Sequence, residues 1–214
     1  MTSRSTLRGR SRRWYNRFAG LYDPLMGLLE GPGFTGWRKL LWSKIEGRHI
    51  LEVGVGTGRS FPYYPPDANI TAIDFSQGMI EKAGNKARER NIRVQLELMD
   101  IQHLAFPDSA FDTVVSSLVF CEVSEPLRGL EEIRRVVRWG GKVVMLEHVI
   151  SDRQPWAMFM NVLAPPIAAI TGENINRDTA QNVKQSGLIL EKVTRLSSIF
   201  RLIESRKERL YFLK

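Results

Sequence analysis

An apolar strand that runs directly into three alternating glycines leaves a chain few folds to choose from. Here the run is Ile50-Leu51-Glu52-Val53-Gly54-Val55-Gly56-Thr57-Gly58-Arg59-Ser60. Lacking Cβ, glycine permits tight turning and lets the backbone approach a ligand closely where a first strand leaves its sheet. Around this loop, apolar β-branched segments alternate with helical ones. His49–Val53, Asn69–Ile73, Phe111–Val115 and Lys142–Val149 read as strands, and Arg93–Leu98 fits as a shorter one. Ser76–Arg90 and Pro126–Val137 read as helices between them, followed by a helix near Thr179–Gln185 and two closing strands, Leu188–Leu196 and Arg209–Leu213. This alternation predicts an α/β fold with a doubly wound, mostly parallel sheet covered on both faces.

The 214 residues, 43% of them hydrophobic, suit one domain whose core needs no staples. A single cysteine, Cys121, excludes an intrachain disulfide framework and a Cys-rich metal site. No apolar run approaches the ~18–20 residues that span a bilayer. The net charge is +8, and Arg4, Arg8, Arg10, Arg12 and Arg13 supply five of it, leaving +3 on the remainder. Residues 1–13 hold no acid and no periodicity, so they read as a flexible basic arm before a single domain, 14–214. Asn16, Arg17 and Asp23 interrupt the apolar stretch a secretory signal would need. The same start is compatible with a short mitochondrial transit peptide, but a solvated tail is the plainer reading. An arm of this kind can also contact anionic lipid headgroups reversibly. Beyond it, basic residues do not gather on a helix with interleaved aromatics, so nucleic acid is not an expected partner.

Phe18, Leu21, Tyr22, Leu25, Leu28 and Leu29 recur at helical spacing. Gly31-Pro32-Gly33 breaks the pattern, and Trp37, Leu40, Leu41 and Ile45 form a second short helix. The glycine spacing then narrows the ligand. Dinucleotide sites use G-x-G-x-x-G, whereas this loop is G-x-G-x-G with Arg59 where the third dinucleotide glycine would fall. Glu52, just before the loop, would repel a pyrophosphate. The site is therefore expected to take a positively charged ligand without phosphates, which argues against a nicotinamide dehydrogenase.

These residues resemble the class I S-adenosylmethionine (SAM)-dependent methyltransferases, whose first motif E-x-G-x-G-x-G is matched by Glu52, Gly54, Gly56 and Gly58. The resemblance implies a Rossmann-like sheet and SAM as the cofactor. It implies that Asp74, which ends a strand 20 residues after Gly54, accepts from both ribose hydroxyls, while Phe75 and Met79 pack on the adenine. Asp100, with Ile101 beside it, would accept from the adenine amino group. Ser116 and Ser117 would border the methionine part and the methyl group. Asp112 is expected to shape the turn before the fourth strand, and Trp139-Gly140-Gly141 the turn before the fifth. Tyr15-Asn16-Arg17-Phe18-Ala19-Gly20-Leu21-Tyr22-Asp23 is similar to the start of methyltransferases acting on lipids and quinones. That likeness implies a helical cap over the cofactor site from residues 14–46, with Tyr15 at the cofactor and Tyr22 at the substrate.

SAM carries its own electrophile, so a protein of this kind need only hold donor and acceptor ~3–3.5 Å apart, aligned and dry. An amine or thiol acceptor must also be deprotonated, and Tyr22, Glu147 and His148 are the candidate groups. His148 reads first as a packing residue and only second as a base, and Cys121 as a small buried hydrophobe. His49 and His103 have no partners at ligand spacing, so no metal is assigned.

Leu51–Gly58 with Ile73–Ser76 resembles bacterial phosphatidylethanolamine N-methyltransferases. Glu147-His148-Val149, Asn161–Pro166 and Asn176–Thr179 resemble small thiol methyltransferases, and the ubiquinone/menaquinone C-methyltransferases share the first half. The apolar segments Trp156–Met160 and Val162–Ile170, within an expected substrate-side cap at 150–180, favour a lipid or other small hydrophobic acceptor. A phosphatidylethanolamine amine is the preferred expectation, in the cytoplasm with peripheral contact at the inner face of the membrane. The quinone and thiol reactions are alternatives. A non-enzymatic lipid-binding module on the same fold is the rival from another class, opposed by the intact glycines and acids.

Overall fold

The computed structural model describes residues 32–148 and 178–208. In chain order these form α1 (Pro32–Trp42), β1 (His49–Val53), a 3-10 turn (Phe61–Tyr63), β2 (Asn69–Asp74), α2 (Gln77–Glu89), β3 (Gln95–Leu98) and β4 (Phe111–Ser117). They continue with α3 (Pro126–Val136), β5 (Val137–His148), α4 (Thr179–Gln185), β6 (Ile189–Arg195) and β7 (Phe200–Arg206). The seven strands make one sheet in the order β3-β2-β1-β4-β5-β7-β6. β1 to β5 pair in parallel, and β7 runs antiparallel between β5 and β6. The strand order reverses between β1 and β4, where the connections diverge and leave a crevice beyond the carboxyl ends of the strands.

Strand periodicity divides the core into two layers. Ile50, Val115, Val144, Leu146 and Leu202 face Leu41 and Trp42 of α1. Their neighbours Leu51, Val114, Val143, Met145 and Ile203 face Leu130 and Ile133 of α3 and Val183 of α4. α2 covers β2 through Ala83 and Ala87 against Ala72. Covered on both sides, β5 needs the unbroken Val143–Leu146 run, each residue at most 1% exposed. Burying a side chain of this size contributes about 1.5–3 kcal/mol. Helix starts follow local chemistry: the Ser76 hydroxyl accepts from Met79 N (3.4 Å) and Asp178 from Gln181 N (3.0 Å).

The structure departs from the sequence expectations in four places. The proline of the expected Gly31-Pro32-Gly33 break opens α1, a position where its missing N–H costs nothing. α1 lies on the sheet face, so residues 32–42 of the expected 14–46 cap do not cover the crevice; residues 14–31 lie outside the described residues, as do the arm and 149–177 of the expected substrate-side cap. β5 begins at Val137, straight after α3, and the expected turn at Trp139–Gly141 is a register shift against β4 between Phe111 and Thr113. Asp112, in that shift, accepts from the N–H groups of Arg48 (2.7 Å) and His49 (2.9 Å), fixing the entry to β1. Finally, the strand closing the sheet is β7, while Arg209–Leu213 lies outside the described residues. Arg201, Glu204 and Arg206 hid β7 from a pattern search, and each is partnered: Glu204 with Lys142 (3.1 Å), Arg206 with Glu46 (3.0 Å), Arg201 with the Ser197 carbonyl (2.7 Å).

Candidate active site

The crevice is built first by the loop after β1. Gly54 N and Val55 N both donate to the Ile73 carbonyl (2.8 and 3.0 Å), pinning the loop to the end of β2. Gly54 has φ +71°, and a Cβ there would lie 2.3 Å from Val119 Cγ2. Gly56 has φ +54° with nothing within 4 Å of its missing Cβ; it lines the crevice, so backbone alone meets the ligand. Gly58 packs against the Phe61 ring and does not line it.

Asp74 organises both sides of this loop. Its Oδ2 accepts from Gly56 N and its Oδ1 from Ser76 N, each at 2.9 Å. Burial pushes its carboxyl up to about 6, opposed by backbone donors from Ser76, Gly56 and Phe75. Phe75, Met79, Asp100, Ile101 and Ser117 line the same crevice. The Ser117 hydroxyl is buried and has no hydrogen-bond partner among the described residues. Next to it Leu118 adopts φ +58°, a costly conformation for a branched side chain. No Lys, Arg or His of the described residues lines the crevice, whereas Asp74, Asp100 and Glu122 do. This lining repels phosphates and admits a cation.

Other expected site residues stand elsewhere. Glu52 is 1% exposed and lies outside the crevice lining; its carboxyl accepts from the Tyr64 hydroxyl. The exclusion of phosphate therefore rests on the three lining carboxylates rather than on Glu52. Ser116 and Glu147 also lie outside the lining, joined to each other: Glu147 accepts from Ser116 Oγ (2.9 Å), Val119 N (3.3 Å) and Phe120 N (3.2 Å). A fully buried carboxylate holding three donors anchors the loop after β4, which corrects the expectation of a base there. His148 packs edge-on against Phe200 at 5.3 Å, also away from the crevice lining. Tyr15 and Tyr22 lie outside the described residues. The sequence reading missed Gln102, Val119, Glu122, Val123 and Ser124, which line the crevice from two loops without any motif to announce them.

SAM fits the residues present. A diol matches an acceptor carboxylate, a sulfonium matches an acidic lining, and the orphaned Ser117 hydroxyl awaits a polar ligand group. Residues 51–145 match the family model described as a methyltransferase domain. The chain is 30% identical over 168 residues to a demethylmenaquinone methyltransferase of Clavibacter sepedonicus, spanning 75% of this chain and 68% of that one. The chain belongs to the class I SAM-dependent methyltransferases. SAM is the cofactor of this methyltransferase. It is also 43% identical over 120 residues to a phosphatidylethanolamine N-methyltransferase of Cereibacter sphaeroides (55% of this chain, 59% of that one). It is 37% identical over 123 residues to a thiol S-methyltransferase of Homo sapiens (54% and 49%). The methyltransferase thus spans about half to three fifths of the length of these last two relatives. Among solved structures, the [4+2]-cyclase SpnF shares the fold, with TM-score 0.66, 23% identity and 80% of each chain covered. A cyclase on this fold shows that the fold alone names no reaction.

Glu52 makes the methyltransferase pH-sensitive in stability. Burial pushes its carboxyl up to about 7, with the Tyr64 and Ser60 hydroxyls pulling down. The folded state then binds the proton more tightly than the unfolded chain, so stability is lost as pH rises from about 4.5 to 7. Glu52→Gln, which still accepts from Tyr64, is expected to melt several degrees above wild type at pH 8 and alike at pH 4.5. Parallel melting curves at all pH values would exclude a raised Glu52.

Proposed function

We propose that this methyltransferase transfers the SAM methyl group in line to a hydrophobic, membrane-associated acceptor, with the amine of phosphatidylethanolamine favoured. The observation that carries the acceptor is the 43% identity to a phosphatidylethanolamine N-methyltransferase. SAM supplies the electrophilic methyl group. The chain's part is to hold the ribose at Asp74, pass backbone beneath it at Gly56, and wall off water with Leu118, Val119 and Val123, which line the crevice. Glu122 lies on the same loop and lines the crevice, so it is the described carboxylate placed to take an acceptor's proton. No helix among the described residues is long and apolar enough to cross a membrane. Contact with an anionic membrane surface is assigned to the five arginines of residues 1–13, each worth about 1 kcal/mol near the surface.

The test offers tritiated SAM with phosphatidylethanolamine vesicles, a small alkyl thiol and a demethylated quinone in separate reactions. Label is expected in N-methylated phosphatidylethanolamine. Label in the thiol alone would move the reading to S-methylation, which the 37% identity to a thiol S-methyltransferase supports as the second reading. The protein should sediment with vesicles containing phosphatidylglycerol, be released by salt because such attraction is screened within about 8 Å, and sediment less without residues 1–13. Equal sedimentation of the truncated protein would remove the arm from the account.

A further inference from the structure

Gln102 lines the crevice, is 7% exposed, and has every polar atom engaged. Its backbone N donates to Asp100 Oδ1 (2.9 Å), and its side-chain Nε2 donates to both Asp100 oxygens (3.1 and 3.4 Å). Its Oε1 accepts from Ser124 Oγ (2.9 Å) and from the N–H of Glu125 (3.0 Å), the cap residue just before α3. Its carbonyl accepts from Arg128 Nε (3.1 Å). The carboxamide therefore bridges the loop after β3 to the loop before α3, two rims of one crevice. Its orientation is not free: the oxygen must face Ser124 and Glu125, so the NH2 must face Asp100. The terminal torsion of an aspartate is ordinarily broad, and here two donors on one residue hold it.

We infer that Gln102 is a positioning residue that aims the Asp100 carboxylate into the crevice, so that the site selects a 6-amino purine over a 6-oxo purine. This rests on the reading of the crevice as the SAM site. Phe75, Met79 and Ile101 supply apolar surface there for a flat base. A carboxylate only accepts hydrogen bonds. It gains one from a 6-amino group and is repelled by an oxygen in its place, but only while it is held toward that position and not toward the neighbouring N1–H of a 6-oxo purine.

The test compares binding of S-adenosylhomocysteine and S-inosylhomocysteine by calorimetry, which needs no knowledge of the acceptor. Wild type should prefer the adenosyl compound by at least about tenfold, the value of one charge-assisted bond. Gln102→Glu keeps an acceptor for Ser124 and Glu125 but turns the donor that held Asp100 into a second carboxyl oxygen. Its preference should fall below about threefold, or invert, because two carboxyls at this separation repel or share a proton instead of holding Asp100 toward the base. An unchanged preference in Gln102→Glu, or equal loss of both ligands, would mean a merely structural glutamine and overturn the inference. So would a wild type that binds both compounds alike. If Gln102→Glu does not fold, Gln102→Met reads the same ratio without the added charge. A wild type that binds neither compound would instead overturn the cofactor site itself.

Discussion

Asp74→Ala is expected to weaken binding of SAM or S-adenosylhomocysteine by about two to four orders of magnitude, because the two charge-assisted bonds it would make to the ribose, each worth about 1.5–3 kcal/mol, would be lost together. The substitution also unties Gly56 N and Ser76 N, which the same carboxylate holds at 2.9 Å. A pH titration gives the claim a second edge. Ribose hydroxyls donate to the ionised carboxylate, so binding lowers a carboxyl that burial has raised to about 6 and expels its proton. Wild-type affinity should therefore fall roughly tenfold between pH 7 and pH 5, a slope of up to one decade per unit below the raised value. Asp74→Asn should lose that slope. Calorimetry at three pH values reads both effects, and an Asp74→Ala variant that binds as wild type does would remove Asp74 from the ribose.

Glu147→Ala should be among the most damaging single changes in the molecule. It leaves the Ser116 hydroxyl and the N–H groups of Val119 and Phe120 without the acceptor they share. Each stranded donor costs about 1–3 kcal/mol, so at least about 3 kcal/mol should be lost. At about 2–4 °C per kcal/mol for a chain of this size, the melting temperature should drop by about 10 °C. Glu147→Gln separates this from catalysis. With one acceptor oxygen it can satisfy the Oε1 donors or the Oε2 donor but not both sets, so it should melt between wild type and Glu147→Ala. A Gln variant that melts like wild type yet transfers no methyl would restore Glu147 as a base.

Legibility tracked how local each determinant was. β1 and α4 stand at the residues their patterns predicted, because an apolar strand before glycines and an Asp178 cap need nothing distant. Ser76 and Arg90, the expected ends of the helix that became α2, are its caps. Asp74 and Asp100 could be placed because strand ends follow from strands. Glu52 and Glu147 carry the same chemistry in the sequence, but what they touch is decided by Tyr64, twelve residues away, and by a loop roughly thirty residues away. Gln102 had no signal at all: its meaning arises only when Ser124 and Glu125 come to meet it. β7 was misplaced because Glu204 and Arg206 are neutralised by partners on β5 and before β1, which no window along the chain contains.

The late insertion of β7 between β5 and β6 sets a problem for the newly made chain. β5 pairs on one side with β4, but its other edge is satisfied only by a strand that begins at Phe200, after 51 intervening residues. Until then Val143–Leu146 is an apolar edge with open N–H and C=O groups, the kind of template on which chains mispair with one another. The charges that obscured β7 act as its register key. A slip of one residue would turn Ile203 and Leu202 to the wrong layers, and a slip of two toward His148 would carry Glu204 away from Lys142, which lies 3.1 Å from it across a diagonal. Correct pairing of β7 with β5 in the newly made chain is thus expected to depend on those charges.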